Sequence, residues 1–344
     1  MKYLFCYITL LFFFNGVHAQ LHGNLSMSNY HVGFKIIDKK IEGKPFKICV
    51  WYPGEERNNQ MKLGDYVDIA STGGTEDKTT LRSELKSVLE MVFDMSPGAI
   101  SQDVFEAALN SNVWAVKDAP IIKGKFPLLL IDAEPSVLVS TTEWLASNGF
   151  VVALPAIQYP SPANDNTLYE GPTKGLETLL SYMSKQPYID TTRISVFGLG
   201  GGALAAFYLA MQSSKIRSMI NVEGGIFMPA SKTTLSADYK PAQFNIPLMH
   251  VTNPYITENE SKQEFDAVRS TKYQLAEQVR LQHHDFTLYG RIVNGLTNLR
   301  GEDATIATEA FGELHQYMLI FLQKNSLSSE SIEKSKYFKL DIIK

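Results

Sequence analysis

The sequence predicts an α/β fold, in which helices cover both faces of a mostly parallel, twisted sheet. Continuous apolar runs, such as residues 127–131 and 150–154, are typical of strands that are buried on both sides. From residue 126 onward these runs alternate with helical segments, the last of which covers residues 305–322. Strands and helices that alternate in this way favour a parallel sheet.

The part of the chain before residue 126 is organised differently. Two β-rich segments, residues 31–38 and 46–52, open it. Apolar residues then recur at helical spacing over residues 79–93, and a second short helix is expected at 101–109. We therefore expect one domain over residues 20–325, with residues 79–112 as a helical insertion or lid and residues 326–344 as a polar tail.

The first nineteen residues have the pattern of a signal peptide. Lys2 precedes an apolar run over residues 3–14, and a small residue, Ala19, marks the expected cleavage site. The run is shorter than the roughly 20 apolar residues that span a membrane. We therefore expect a secreted or periplasmic protein that keeps no transmembrane segment after cleavage.

Composition excludes some classes of partner and constraint. The formal net charge of -4 provides no basic surface for nucleic acid. After cleavage Cys49 is the remaining cysteine, so an internal disulfide cannot form. Cys49 lies in an apolar run, where a buried strand position is expected. Stability must therefore come from the core of a large domain.

A glycine-rich segment, residues 194–206, predicts a strand that passes through a tight turn into a helix of small residues. Its glycines approximate the dinucleotide-binding pattern G-x-G-x-x-G/A, and Glu223 follows at about the distance of the ribose-binding acid. That pattern belongs to the first strand–helix unit of a domain, whereas several units precede it here. We therefore expect no cofactor.

The same strand–turn–helix context is that of the nucleophile elbow G-x-S-x-G, with Gly198 and Gly202 as its outer glycines. Five further segments follow the order of a known family: residues 50–53, 64–67, 125–130, 144–152 and 189–194. On these motifs, which extend over about residues 32–286, the chain resembles the dienelactone hydrolase and platelet-activating-factor acetylhydrolase-like branch of the α/β-hydrolases. The resemblance implies an α/β-hydrolase fold and an esterase-type site.

The resemblance also implies a catalytic triad of serine, acid and histidine. The serine position is taken by Gly200, which has no hydroxyl to attack a carbonyl carbon. Glu223 follows the next predicted strand at the position of the acid, and His283 lies in the late loop that holds the histidine. We expect Glu223 and His283 to remain within hydrogen-bonding distance as the acid and base of a site whose nucleophile position is vacant.

The oxyanion-binding segment of the family also departs from its pattern. A histidine and a glycine normally follow the first parallel strand, but here the residues are Asp132, Ala133 and Glu134. Carboxylates at this point would repel the negative charge that develops in acyl transfer. With Leu199 and Gly201 beside the elbow, these residues are expected to line a pocket.

Three functional hypotheses follow. The first is a secreted, catalytically impaired hydrolase homologue that binds a small or lipid-like ligand, an ester-like molecule, or a protein partner. The second is an active carboxylic-ester hydrolase that uses water activated by His283 and Glu223, or a serine outside the elbow such as Ser136 or Ser161. The third is a structural scaffold that acts through its insertion or its outer helices.

Asp132, Glu134 and His250 carry side chains of types that bind metal ions. Their spacing matches no metal-binding motif, and we expect no metal.

Overall fold

The computed structural model describes seven stretches of the chain. These are residues 21–41, 44–71, 78–156, 170–235, 239–296, 299–328 and 335–344. The predicted signal peptide and Ser161 lie outside them. Within these stretches, no helix has the length and apolar character needed to cross a bilayer.

The described residues form eleven strands and eleven α-helices. The strands are β1 (His31–Ile41), β2 (Lys44–Gly54), β3 (Gln60–Lys62), β4 (Asn112–Lys117), β5 (Phe126–Ile131), β6 (Val151–Pro155), β7 (Ile189–Leu199), β8 (Ile216–Val222), β9 (Leu248–Thr252), β10 (Lys272–Glu277) and β11 (Phe338–Ile343). The helices are α1 (Leu63–Ser71), α2 (Lys78–Val92), α3 (Gln102–Leu109), α4 (Val139–Ser147), α5 (Glu170–Met183), α6 (Gly202–Gln212), α7 (Pro229–Leu235), α8 (Pro254–Asn259), α9 (Lys262–Ala267), α10 (Leu288–Leu296) and α11 (Glu302–Lys324).

All of these strands belong to one sheet in the order β11-β10-β9-β8-β7-β5-β6-β2-β1-β4-β3. The neighbouring pairs from β10 to β6 are parallel. The early strand β2 pairs antiparallel with β6, and β1 pairs antiparallel with β2. The predicted fold class, a mostly parallel sheet in an α/β protein, is therefore confirmed.

Helices cover both faces of the sheet, as the continuous apolar strands require. On one face α5 and α6 pack together over the sheet, with Leu176, Leu179 and Phe207 fully buried. On the other face α4 and α11 contribute Trp144 and Phe321 to the core. Each sheet face therefore has its own apolar layer, and the carboxyl ends of the parallel strands share one edge, where ligands bind in open α/β sheets.

The segment predicted to be a helical insertion contains the helices α2 and α3. Leu85 and Leu89 of α2 are buried, in keeping with their helical spacing. Phe93, at the end of α2, lies with its ring centroid 6.2 Å from that of His284. The insertion thus reaches the loop that holds the predicted catalytic histidine.

The last strand was not anticipated within the predicted polar tail. β11 pairs antiparallel with β10, and Phe338, directly opposite Glu277, is buried. Cys49 lies buried in β2 as expected, and burial raises the pKa of its thiol well above the usual range.

Candidate active site

The glycine-rich segment forms a sharp turn between β7 and α6. Gly200 lies in the turn with a φ of 52°, which is in the left-handed region that favours glycine. Its backbone N–H donates a hydrogen bond to the carbonyl oxygen of Val222, 3.0 Å away. This hydrogen bond links the turn to the end of the neighbouring strand β8.

The two outer glycines of the motif are required by packing. A Cβ atom on Gly198 would lie 2.2 Å from Cα of Ala203, and one on Gly202 would lie 2.2 Å from the carbonyl oxygen of Asp132. Both contacts involve backbone atoms that cannot easily move. A Cβ atom on Gly201, in contrast, would meet no described atom within 4 Å. The motif therefore keeps the start of α6 close to the loop after β5.

The structure brings Glu223 and His283 together. Glu223 follows β8 with a φ of 49°, and its side chain is almost fully buried. His283 begins the short turn His283–Phe286, and its Nδ1 lies 2.6 Å from Oε2 of Glu223. Asn253 donates a hydrogen bond from Nδ2 to Oε1 of Glu223 at 2.7 Å. Because a carboxylate can only accept, Nδ1 of His283 carries the proton and Nε2 is left as an acceptor.

The acceptor Nε2 of His283 lies directly beside Gly200. A Cβ atom on Gly200 would be 2.9 Å from Nε2 and 3.0 Å from Cε1 of His283. The imidazole therefore occupies part of the space that a larger residue at the elbow would need. The His283 side chain is still 40% exposed.

A buried acid fixes the turn that carries His283. Asp285 accepts hydrogen bonds from the backbone N–H of Gln282 at 2.9 Å and from Nδ2 of Asn294 at 3.0 Å. Arg300 forms an ion pair with the Asp285 carboxylate, and Arg291 donates to its backbone carbonyl oxygen at 3.1 Å. Burial lowers the pKa of the Arg291 guanidinium to about 10. This network holds the backbone that positions His283.

Acidic residues occupy the loop after β5, where the family has its oxyanion segment. Asp132 is buried, and its Oδ1 has no hydrogen-bond partner among the described residues. Burial raises the pKa of the Asp132 carboxyl to about 6. Ala133 and Leu199 are half-buried, whereas Glu134 and Gly201 are exposed. An ionised Asp132 would oppose the development of negative charge beside the elbow.

One acidic residue near the site was missed by the sequence reasoning. Glu277 ends β10, and its side chain lies within the electrostatic influence of Glu223. Burial, followed by the negative charge of Glu223, raises the pKa of the Glu277 carboxyl to about 9. Its position at the carboxyl end of a parallel strand was the signal that could have found it.

The other side of His283 is bounded by aromatic residues. The His284 ring lies 5.8 Å from the Tyr289 ring and 6.2 Å from that of Phe93. Burial lowers the pKa of His284, helped by the adjacent His283. Burial raises the pKa of Tyr289 to about 12, with a further contribution from Glu134. These rings and Glu134 therefore lie beside the turn that carries His283.

Two residues considered in the sequence do not join the site. His250 is fully buried, with Nδ1 2.6 Å from Nδ2 of Asn221 and Nε2 2.9 Å from Glu260. Both ring nitrogens are thus used within the core. No group of three metal-binding side chains occurs in the described part of the chain. Ser136 is buried in the loop after β5, away from any strand–helix elbow.

A separate cleft of about 410 Å³ lies at the other end of the sheet, between β1, β3 and α1. Phe34, Met61 and Asp65 are among its lining residues, and none of the predicted site residues lines it.

Comparison with known proteins places the site in a family context. Residues 176–317 match the family described as BAAT / Acyl-CoA thioester hydrolase C terminal. The matched segment includes Gly200, Glu223 and His283 but less than half of the chain. No curated protein sequence is significantly similar to the chain.

Solved structures extend the comparison to the whole fold. A ferulic acid esterase from Streptomyces cinnamoneus superposes with a TM-score of 0.63 and 16% sequence identity, over 90% of this chain and 95% of that chain. An acylaminoacyl peptidase from Pyrococcus horikoshii gives a TM-score of 0.49 and 11% identity, over 88% of this chain and 44% of the peptidase. The chain therefore spans less than half of the peptidase. The esterase comparison, together with the sheet topology, shows an α/β-hydrolase fold.

Proposed function

We propose that this chain is a secreted α/β-hydrolase homologue of the dienelactone hydrolase type that binds an ester-like or lipid-like ligand without forming an acyl-enzyme. One observation carries the proposal. His283 is paired with Glu223 at 2.6 Å and directs Nε2 at the elbow, where Gly200 supplies no nucleophile. The acid and base of a triad are in place, and the group that they would activate is not.

Two features argue against ordinary esterase turnover. Removing a member of a catalytic triad leaves only the ~10³–10⁴-fold acceleration over water that binding and the oxyanion hole provide. The oxyanion segment is itself unfavourable here, because the buried Asp132 carboxyl lies in the loop beside Gly202. The two changes affect the two groups that acyl transfer needs most.

The kind of ligand is suggested by the comparisons and by the residues that border the proposed pocket. The name of the matched family refers to an acyl-CoA thioester hydrolase, and the structural neighbour is a ferulic acid esterase. The half-buried Tyr289 provides aromatic surface beside His284, which suits an acyl chain or an aromatic acyl group. We propose that the insertion formed by α2 and α3 is the side wall or lid of this pocket. A protein partner that binds beside His283 is compatible with the same surface.

The exposed imidazole favours a second candidate function. With 40% of its side chain accessible, His283 could accept a proton from a water molecule and act as a general base. Such catalysis contributes ~10²–10⁴-fold. The wild-type protein would then hydrolyse activated esters, and His283→Ala would reduce that rate.

A serine-directed fluorophosphonate probe tests the main proposal. We expect no labelling of the wild-type protein, because Gly200 offers no hydroxyl and Ser136 is buried outside an elbow. The Gly200→Ser variant provides the positive control under the same conditions. Stoichiometric labelling of any serine in the wild-type protein, Ser136 and Ser161 included, would show that an active nucleophile exists.

Export is the remaining part of the proposal. The leader pattern of residues 1–19 supports cleavage after Ala19 and a secreted or periplasmic location. N-terminal sequencing of the mature protein is expected to begin at Gln20. A soluble cytoplasmic protein that retains Met1–Ala19 would contradict export.

A further inference from the structure

The sheet ends in a strand whose outer edge carries no other strand in the described part of the chain. β11 lies at one end of the sheet order and pairs with β10. Beyond the buried Phe338 its residues are exposed or half-buried, and Ile342 is 38% exposed. An edge strand presents backbone N–H and C=O groups along its free side, which form a template for pairing with another chain. β11 can therefore accept a further strand.

The two faces of β11 differ in chemistry. Side chains alternate between the faces of a strand, so one face of β11 carries the apolar residues Phe338, Leu340 and Ile342. The other face carries Lys339 and Asp341, whose Nζ and Oδ2 atoms are 3.0 Å apart and whose side chains are 60% and 46% exposed. On the β10 side these two residues lie opposite Ala276 and Gln274, which carry no charge. Both charges are therefore accessible to a strand on the outer side.

The sequence of β11 is complementary to itself in one antiparallel register. When a two-fold axis perpendicular to the sheet passes through Leu340, Lys339 of each copy lies opposite Asp341 of the other. Phe338 then lies opposite Ile342, so the apolar faces match as well. An axis through Lys339 or Asp341 would instead place two lysines or two aspartates opposite each other. Opposite charges stabilise a cross-strand pair and like charges destabilise it, which selects the register centred on Leu340.

We propose that two copies of this chain associate through β11, in an antiparallel strand pair centred on Leu340. The pair joins the two sheets into one continuous sheet. Six residues from each copy take part, which bury less surface than the roughly 1,200–2,000 Å² of a standard interface. The dimer is therefore weak and forms at high protein concentration. The proposal goes beyond the proposed function and does not depend on it.

The charges on β11 do not block pairing in the way that charges on edge strands commonly do. Charged side chains, lysines above all, protect an edge because they repel a second copy or are poorly placed for it. β11 instead has one charge of each sign, and in the proposed register the four charges alternate in sign around the axis. Lys336 and Lys344, the nearest other charged residues along the described chain, lie outside the six paired residues.

Two single variants of opposite charge test the register by sedimentation velocity. We expect the wild-type protein to show a monomer–dimer equilibrium as its concentration approaches the millimolar range. Lys339→Asp makes the charged face of β11 wholly negative, and Asp341→Lys makes it wholly positive. Each variant alone is expected to weaken the dimer by about tenfold or more, because two attractive cross-strand pairs become repulsive. An equimolar mixture of the two variants should associate again, because each charge then lies opposite one of the other sign. Both positions are exposed, so the urea midpoints of the variants should match that of the wild-type protein.

Cysteine crosslinking tests the position of the axis. Leu340→Cys places a thiol directly opposite the same thiol of the second copy. Ile342→Cys, on the same face, places the two thiols four residues apart along the strands. A disulfide needs Cα atoms about 4.4–6.8 Å apart, so under mild oxidation we expect a covalent dimer from Leu340→Cys and none from Ile342→Cys, although Ile342 is the more exposed position. The native Cys49 is buried and does not compete.

Several results would overturn the proposal. One is a wild-type protein that stays monomeric throughout this concentration range. Another is a dimer that survives both charge changes, or a mixture of the two variants that does not associate. Failure of Leu340→Cys to crosslink, or crosslinking of Ile342→Cys in its place, would also rule out the register. None of these readouts involves a ligand, Gly200 or His283, so failure here leaves the proposed function standing.

Discussion

Gly200→Ser is expected to give the protein measurable hydrolysis of p-nitrophenyl acetate that the wild-type chain lacks. The substitution places a hydroxyl beside Nε2 of His283, whose Nδ1 is already paired with Glu223 at 2.6 Å. A histidine held in this way can remove the serine proton as a general base. This is the largest gain of activity that a single substitution in this chain should produce.

The local geometry accepts the serine at a modest cost. A non-glycine residue with a left-handed φ costs roughly 1–2 kcal/mol, and the φ of Gly200 is 52°. The new Cβ would lie 2.9 Å from Nε2 of His283, so the imidazole must withdraw by a few tenths of an ångström. Its side chain is 40% exposed and is free to do so on the solvent side.

The expected rate is nevertheless low. Loss of one oxyanion-hole donor costs about 10²–10³ in turnover. In this chain Asp132, Ala133 and Glu134 stand where the family has its oxyanion segment. The pKa of Asp132, raised to about 6 by burial, means that its carboxyl is mainly ionised at neutral pH and repels an oxyanion. We therefore expect activated short-chain esters to react and unactivated esters to be left intact.

Two matched variants identify the source of the activity. Gly201→Ser places a hydroxyl one residue away in open space and should remain inactive. Gly200→Ser combined with His283→Ala should lose most of the gained activity, because the serine then has no base. Equal rates with and without His283 would show that the histidine assignment is wrong, and Glu223 would lose its role with it.

The sequence was sufficient for the parallel part of the fold and for the central contact of the site. Continuous apolar strands such as β5 and β6 are buried on both faces, which their composition indicated. Glu223 and His283 were predicted to meet because one follows the strand after the elbow and the other lies in the late loop. Both predictions rest on the order of the segments along the chain. In a parallel sheet, the loops that follow neighbouring strands lie close together at one edge.

The sequence was insufficient where a contact depends on how strands far apart along the chain are aligned in the sheet. Glu277 comes under the electrostatic influence of Glu223 only because β9 aligns β10 with β8, and no local pattern encodes that alignment. β11 appeared to be a polar tail, because it lies at the edge of the sheet and carries charged residues such as Lys339 and Asp341. Edge strands commonly carry such charges, so polarity alone did not exclude a strand there.

The sequence of the elbow motif suggests catalysis, but its outer glycines have a structural role. Gly198 and Gly202 are required by close backbone packing, with Cβ positions 2.2 Å from neighbouring atoms. These glycines would be needed for the fold even without catalysis. The motif therefore indicates the architecture, whereas the chemistry depends on Gly200, Glu223 and His283.

A buried carboxylate far from the elbow is expected to dominate the stability of the other end of the domain. The Glu143 side chain in α4 is completely buried. It accepts hydrogen bonds from Tyr66 at 2.8 Å and from the backbone N–H groups of Trp114 and Ala115 at 2.7 and 3.1 Å. His22 lies 2.9 Å away through Nε2, and its ring stacks on that of Trp114 at 3.7 Å. One side chain thus joins the N-terminal segment, α1 and β4 to α4.

Glu143→Ala should therefore reduce the free energy of unfolding by about 3–5 kcal/mol, because several donors lose their shared acceptor and each unsatisfied buried group costs about 1–3 kcal/mol. The loss leaves two buried N–H groups and the His22 ring without their acceptor, and each such group is costly when unpaired. Glu143→Gln keeps one acceptor oxygen and should lose clearly less. Urea denaturation of both variants measures the effect, with Glu84→Ala as the control, because Glu84 is exposed on α2 and should change stability by no more than about 0.5 kcal/mol. If Glu143→Ala were no less stable than this control, solvent or a shifted side chain would have to satisfy the donors, and the buried network would not be what holds the N-terminal segment against α4.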